Sequence, residues 1–466
     1  MGLFNDIKQN KVLEYFEQLS KVPRGSFNTK GIADYLCSFA TSNNLAYYRD
    51  ESDNVIIYKQ GTKSGEPVIL QGHTDMVCDS DDYFDFENSP IKLLRDGDIV
   101  TADGTTLGAD NGIACAMMMA ILSDNSLMHP PLECVFTSNE EVGLLGATAL
   151  DCSKLKGKRM LNIDSECEGV FTVGCAGGIS VIATTDCSVV NNTLQTYKLS
   201  ITELDGGHSG VEIGKNRCNA IKLAANIIDE IGNCNIVSIN GGSKENAIPS
   251  NCEVVFTTNS IDKNIVNKYV EFVKSTYSDA HCKIEIIDIP MSDKACTSEN
   301  SNSIVNALIK LPDGIRSMNS AIPDLVQTSS NIGVVTTDEN SIKFEISVRS
   351  SVSVEKNQLL EDITDIFNKH NFDVASHGDY PSWEFKEKSA VRDVAVKIYE
   401  DMYEKQPVID VIHAGLECGL FSDKIQNLDC ISYGPDLFDI HTTSERMSIS
   451  SVLRVYDFTI KLLKLM

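Results

Sequence analysis

Two histidines and several acids stand in loops that directly follow short apolar runs, where side chains from distant parts of a chain can converge on one ligand. The run Gln71-Gly72-His73-Thr74-Asp75 comes straight after 67–70, so His73 and Asp75 should sit at a strand end with both side chains on one side. Leu107-Gly108-Ala109-Asp110-Asn111-Gly112 sets a carboxylate between glycines at the start of an apolar segment. Asp is a favoured helix N-cap, which is the plainer reading of Asp110; the glycines add that the backbone can pack closely around whatever the carboxylate holds. Ser138-Asn139-Glu140-Glu141-Val142-Gly143 follows the run 132–137, Asp164 ends the next apolar run, and His441 lies in Asp439-Ile440-His441-Thr442-Thr443-Ser444-Glu445.

Each of these has an ordinary explanation alone: a hydrogen-bonded His–Asp pair, a cap, a solvated acidic turn. Their combination does not. Adjacent carboxylates such as Glu140 and Glu141 repel unless a cation or a proton intervenes. Two imidazoles and three carboxylates (His73, Asp110, Glu141, Asp164, His441) suit two zinc-like ions ~3.5–4 Å apart with one carboxylate bridging them. Cobalt or manganese could occupy the same donor set.

The elements that must position these residues follow from periodicity. Helical spacing covers 11–19, 31–42 and 111–122, with β-rich runs over 54–58, 67–70, 132–137 and 159–163. Strands alternating with helices imply an α/β domain with a mostly parallel sheet flanked by helices, and ligands bind beyond the carboxyl ends of such strands. After about residue 185 the order changes. Strand 196–202, helix 219–231, strands 236–239 and 252–257, helix 263–276 and strand 282–287 spell a ferredoxin-like β-α-β-β-α-β unit. A second unit follows, with helix 303–310, strand 342–348 and helix 356–369, before helix 388–402 and strand 430–433 resume the first pattern. The expected division is therefore 1–185 and 386–466 for a discontinuous catalytic domain, with a doubled ferredoxin-like α+β lid over 186–385.

Composition narrows the partners. The formal net charge is -26, from 66 acidic and 40 basic residues, a field that repels nucleic acid and anionic membranes. The 15 cysteines are odd in number and unpatterned, and residues 1–10 carry no signal segment, which points to reduced thiols and the cytoplasm. Cys115 and Cys134 read as small core residues. No stretch approaches the ~20 continuous apolar residues of a membrane span.

The runs Gly72-His73-Thr74-Asp75-Met76-Val77, Thr106-Leu107-Gly108-Ala109-Asp110-Asn111-Gly112 and Asn139-Glu140-Glu141-Val142-Gly143 resemble those of the co-catalytic dizinc peptidases, which include carboxypeptidases, aminoacylases and tripeptidases. Within that group the chain is most similar to the aminoacyl-histidine (Xaa-His) dipeptidases, through Val22-Pro23-Arg24-Gly25-Ser26, Val173-Gly174-Cys175-Ala176-Gly177-Gly178, His413-Ala414-Gly415-Leu416-Glu417 and the doubled lid. The resemblance spans essentially the whole chain. It implies that Asp110 bridges both metals, that His73 and Asp164 complete one site, and that Glu141 and His441 complete the other. Asp75 would orient the His73 ring. Glu140 would act as the general base that takes a proton from the attacking water and returns it to the leaving amine. Thr443 and Ser444 follow His441 where relatives often have Pro, which could alter the loop but leaves the ligand intact.

The same resemblance assigns His208, in Asp205-Gly206-Gly207-His208-Ser209-Gly210, to the oxyanion of the tetrahedral intermediate. Glu245-Asn246-Ala247-Ile248-Pro249 and Ser330-Asn331-Ile332-Gly333 look like copies of one element. Simpler relatives take a His and an Asn from a partner subunit's lid and an Arg from their own. Here the first copy keeps His208 and Asn246 but has Asn259 where the Arg falls, and the second keeps Arg349. The first half-lid would thus imitate a partner subunit, so that a monomer, or each chain of a homodimer, makes a complete site. The planar fork of Arg349 suits the free carboxylate of a short peptide, and Gly415 offers a backbone contact to it. His413 receives no role.

The expected activity is dizinc-dependent hydrolysis of dipeptides and very short peptides, of the Xaa-His type. A tripeptidase, a carboxypeptidase or an N-acyl amino acid deacylase uses the same metals. An idle metal-binding protein is the alternative from another class, against which the spare carboxylate Glu140 argues, since a structural site is closed.

Overall fold

Short apolar runs buried on both faces build the middle of the first sheet: Val68, Ile69 and Leu70, like Cys134, Val135 and Phe136, expose nothing. Strands of that kind belong in a parallel sheet covered by helices. The computed structural model describes residues 3–7, 11–320, 322, 324–339 and 341–466. The chain divides into two units: Met1–Cys175 with Phe385–Val411 and Leu416–Met466, and Ala176–Glu384 with Ile412–Gly415.

In the first unit eight strands lie in the order Ala46–Arg49, Val55–Lys59, Leu132–Thr137, Val68–His73, Arg159–Asn162, Asp429–Ser432, Val170–Cys175, Val408–Ile412. The middle four are mutually parallel, with His73 opposite Thr137 and Asn162 opposite both Gln71 and Ser432. Their carboxyl ends therefore reach one edge in near register. The helix Ala109–Ser123 is apolar on every side and buried throughout, as a helix with no polar face must be.

The main sheet of the second unit is antiparallel, ordered Lys283–Ile289, Gln195–Thr202, Cys252–Thr258, Asn235–Gly241, Val326–Thr337, Ser341–Ser350, Gly177–Asp186, Asp373–Tyr380, with Gly314–Met318 paired to Val326–Thr337. The first four strands and the helices Ala220–Ile231 and Asn264–Thr276 form one ferredoxin-like half. The last four, with Ser298–Lys310 and Ser353–Lys369, form the other. The halves meet strand to strand at Gly241 and Val335, and Phe256, Val254, Phe344 and Ile346 belong to a single apolar core.

Three sequence expectations need correction. The boundary placed at 185 falls at 175, because Gly177–Asp186 is the first strand of the second half, pairing with Ser341–Ser350 and Asp373–Tyr380; only Ala176 separates it from the preceding strand, so the two runs read as one. The segment 412–415, expected in the catalytic domain, groups with the second unit, where Ala176 N–H donates to the Ile412 carbonyl at 3.1 Å. Residues 330–333 are not a copy of 245–249. They lie inside the strand Val326–Thr337, and Asn331 Nδ2 donates to the carbonyls of Glu245 and Ala247 at 2.9 and 2.8 Å. The two segments are partners across the join.

Candidate active site

The four parallel strands of the first unit each deliver an acid or a histidine just past their carboxyl ends: His73 and Asp75, the Glu140–Glu141 turn, Asp164, and His441 further along. Asp110 comes from the start of the buried helix. Its carboxylate has one oxygen 3.2 Å from His73 Nε2 and the other 3.0 Å from His441 Nε2. Asp164 Oδ1 lies 3.5 Å from His73 Nε2, and Glu141 Oε2 lies 3.1 Å from His441 Nε2. The five candidate ligands thus converge as two imidazole–carboxylate pairs around one shared carboxylate. Ligand atoms of His73, Asp110 and Glu141 all fall within 4.8 Å of one another.

Asp110 is not a cap. Gly108 occupies the N-cap position, and Asp110 and Asn111 depart from helical backbone angles. The helix's exposed N–H groups are answered by Glu445, which accepts from Leu107, Gly108, Ala109 and Asp110 at 2.7, 2.9, 2.8 and 3.3 Å. That frees Asp110 to face the imidazoles. Arg24 completes the support: its buried guanidinium donates to the Thr74 carbonyl at 2.9 Å and to the Gly108 carbonyl, tying together the loops of His73 and Asp110.

Asp75 holds two parts of the site. Its Oδ1 lies 3.5 Å from His73 Nδ1 and accepts from Glu140 N–H at 3.0 Å, while Oδ2 accepts from Glu141 N–H at 3.3 Å and from Ser26 Oγ at 2.8 Å. A carboxylate behind a ligating imidazole fixes the ring's orientation and tautomer. In the His441 loop the Thr442 hydroxyl donates to the Asp439 carbonyl at 2.7 Å and accepts from Ser444 N–H at 3.1 Å. The turn is closed by side-chain hydrogen bonds, and His441 sits there with φ of 64°.

Electrostatics show what the residues lack. Burial opposes charge on His73, yet Asp164, Asp110 and Asp75 hold its imidazole well above the ordinary value. His441, likewise opposed by burial, is pushed up to about 11 by Asp110 and Glu141. Burial raises Asp164 and Glu140 well above the usual carboxylate range, reinforced by neighbouring carboxylates. Burial also pushes Glu417, which accepts from Thr137 Oγ1 at 2.7 Å, up to about 8. Glu141 Oε1 is buried with no hydrogen-bond partner among the described residues. A donor set of oxygens and imidazole nitrogens, overfull of negative charge and with an orphaned carboxylate oxygen, fits divalent cations. A groove lined by Tyr58, Pro67, Leu132, Glu133 and Lys156 lies by the amino ends of the strands Val68–His73 and Leu132–Thr137 and holds none of these groups.

The second unit gathers the other candidates. Gly207–His208 pairs with Ala247–Ile248, next to Asn246, whose carbonyl accepts from Ser209 N–H at 2.9 Å. His208 Nδ1 accepts from the N–H groups of Gly210 and Val211 at 3.1 and 3.2 Å, which leaves the proton on Nε2. Burial and the charge of Arg349 hold this imidazole below its ordinary value, so it is a neutral donor near pH 7. Arg349 Nη1 donates to Tyr380 Oη at 2.8 Å, and Gly415 closes on the Tyr380 ring. His413, unassigned from sequence, is buried with Nε2 2.7 Å from Ser329 Oγ. Glu445, Glu417 and Tyr380 were not singled out by sequence, because their partners lie tens to hundreds of residues away and only the tertiary fold pairs them.

A family model described as peptidase family M20/M25/M40 matches residues 69–465. The chain is 32% identical over 481 residues to the cytosol non-specific dipeptidase of Escherichia coli (strain K12), covering 100% of this chain and 99% of the relative. The aminoacylhistidine dipeptidase from Vibrio alginolyticus superposes with a TM-score of 0.90 at 31% identity, over 100% of this chain and 98% of that one. The aminopeptidase PepT from Bacillus cereus ATCC 10987 shares the fold, with a TM-score of 0.60 at 16% identity over 98% of each chain.

Proposed function

The chain belongs to peptidase family M20/M25/M40 and is a metallopeptidase, and we propose that it hydrolyses dipeptides and other very short peptides, Xaa-His dipeptides among them, using two zinc ions held by His73, Asp110, Glu141, Asp164 and His441. The observation that carries this reading is the shared carboxylate: Asp110 turns one oxygen to each imidazole, and each imidazole has a carboxylate of its own. The names of the two full-length relatives support dipeptides as the substrate class. When bound, the cations would polarise the scissile carbonyl and bring the pKa of a water towards ~7.

The chain's own residues do the rest. Glu140, next to Glu141 but not itself among the five proposed ligands, takes the proton from the attacking water and returns it to the leaving amine. Asp75 fixes both the His73 ring and the turn that carries Glu140. His208 donates Nε2–H to the oxyanion, the task for which its neutral tautomer is suited. Asn246, Arg349 and Gly415 hold the substrate, with Arg349 on its free carboxylate.

The setting we propose is the cytoplasm, in keeping with the name of the Escherichia coli relative, with cysteines none of which forms a disulfide, and with the lack of any helix among the described residues long and apolar enough to cross a membrane. The net charge of -26 disfavours nucleic acid as a partner. The two edge-to-edge halves of the second unit support a site completed within one chain, whether monomer or homodimer; activity lost on dilution to folded monomers would contradict that. The function is tested with a panel of β-alanyl-histidine, plain dipeptides, tripeptides and N-acetyl amino acids. Cleavage of the dipeptides is expected, and cleavage of the acetyl compounds alone would defeat the reading.

A further inference from the structure

Three strands of the second unit run side by side in the order Ser341–Ser350, Gly177–Asp186, Asp373–Tyr380. Their register sets Arg349 opposite Gly178 and Gly178 opposite Tyr380, so the three residues form one row across the sheet. The outer strands of such a trio lie about 10 Å apart. An arginine and a tyrosine span that distance only where nothing stands between them. Glycine fills the middle position: a Cβ on Gly178 would fall 2.4 Å from the Tyr380 hydroxyl. Across this gap Arg349 Nη1 donates to Tyr380 Oη at 2.8 Å.

Tyr380 is itself fixed from several sides. The register slips between His377 and Tyr380, a bulge of the kind that re-aims a side chain. Buried Lys356 donates to the Tyr380 carbonyl at 3.0 Å and pairs with Asp379. Gly415 presses on the ring, where a Cβ would sit 2.8 Å from Cε2.

We propose that Tyr380 is a positioning residue for Arg349: by holding Nη1 it turns the Nε–Nη2 edge of the guanidinium towards the free C-terminal carboxylate of a short peptide. This rests on the reading of Arg349 as the carboxylate anchor. Arg349 Nε is buried and has no hydrogen-bond partner among the described residues, and two parallel N–H groups on one edge match a carboxylate. His208 and His413 stand near Arg349 as neutral imidazoles, both held low by burial and by its charge. Arg349 is thus the charged member of this trio. The arrangement also gives a purpose to the glycines of Gly177-Gly178 and Ala414-Gly415, which bond cleavage does not require.

The test is steady-state kinetics on one dipeptide and on the same dipeptide bearing a C-terminal amide. Arg349→Met should erase the preference for the acid over the amide; if the preference survives, the reading of Arg349 fails and the role of Tyr380 falls with it. With that preference erased, Tyr380→Phe in the otherwise native enzyme should raise KM for the acid about tenfold, the worth of one hydrogen bond to a charged group. Its kcat should stay within about threefold, and KM for the amide should not move. Gly178→Ala, which displaces the ring without altering either polar group, should reproduce this split, and Tyr380→Phe should add nothing in the Arg349→Met background. A Tyr380→Phe enzyme with native KM for the acid, or one whose KM rises equally for acid and amide, overturns the proposal while leaving Arg349 as the anchor.

Discussion

The two units place polar side chains by opposite means. In the first, parallel strands end together: His73 closes its strand, Glu141, Asp164 and His441 stand in loops beyond theirs, and Asp110 comes from a helix start, with Glu445 and Arg24 pinning the Asp110 and His73 segments from behind. In the second, antiparallel strands carry Arg349 and Tyr380 on the sheet itself, and a glycine between them clears the path. Loops let groups from four strands meet around a cation-sized volume. Strand faces give a fixed row, suited to presenting one flat edge to one flat ligand. The contrast teaches that charge-dense chemistry and shape-selective recognition here draw on different properties of β structure.

The comparison breaks most visibly at Glu140. If the first unit alone cleaves the bond, Glu140→Gln should lower kcat ~10²–10⁴-fold with metal content unchanged, measured by metal analysis beside steady-state kinetics. Equal loss of metal would show Glu140 to be a ligand instead. A smaller effect tests whether the second unit takes part in the reaction: His208→Ala should cost ~10²–10³-fold in kcat, the range of a lost oxyanion donor. An unchanged kcat would confine the second unit to binding.

Next comes the support behind the ligands. Glu445→Ala leaves four N–H groups at the Asp110 loop without their acceptor. Metal affinity should fall about 10–100-fold in a competition titration, as for other residues that orient ligands. The smallest effect is in stability. Burial, then the charge of Arg349, hold the His413 imidazole at about 4, against an unfolded value of about 6.5. As pH falls the unfolded chain takes up this proton first, so His413 destabilises the fold progressively between about pH 6.5 and 4. Its share is about 2 kcal/mol at pH 5. Urea midpoints at pH 7 and pH 5 should therefore drop less for His413→Gln than for the native chain, and equal drops would contradict the assignment.

Much of the first unit was legible because its signals are local. His73, Glu141 and Asp164 each stand within a few residues of an apolar strand, and glycines flank Asp110. Glu445 was hidden, since its four bonds join residues more than 330 positions apart. The N-cap reading of Asp110 was plausible for the same reason: sequence shows a carboxylate at a helix start but not the second carboxylate that does the capping. The second unit was harder. Its first strand, Gly177–Asp186, adjoins the last run of the preceding unit, so no break in composition marked it. Asn331 looked like a repeat of Asn246 because each stands before apolar residues that lead towards a strand, whereas the fold uses one to hold the loop of the other. Arg349 was singled out through the family resemblance, at the end of an expected strand. Tyr380, the residue that aims it, sits past a bulge on a strand that sequence did not reveal.

The central claim is that five side chains cage two cations that share Asp110. Metal content per chain, measured on native protein, on His73→Ala and on His441→Ala after loading with zinc and removal of free ions, tests it most directly. The account predicts two ions in the native chain and loss of a tightly held ion in each single variant. A native chain that retains no divalent ion, or that keeps the same content when either histidine is removed, would contradict it.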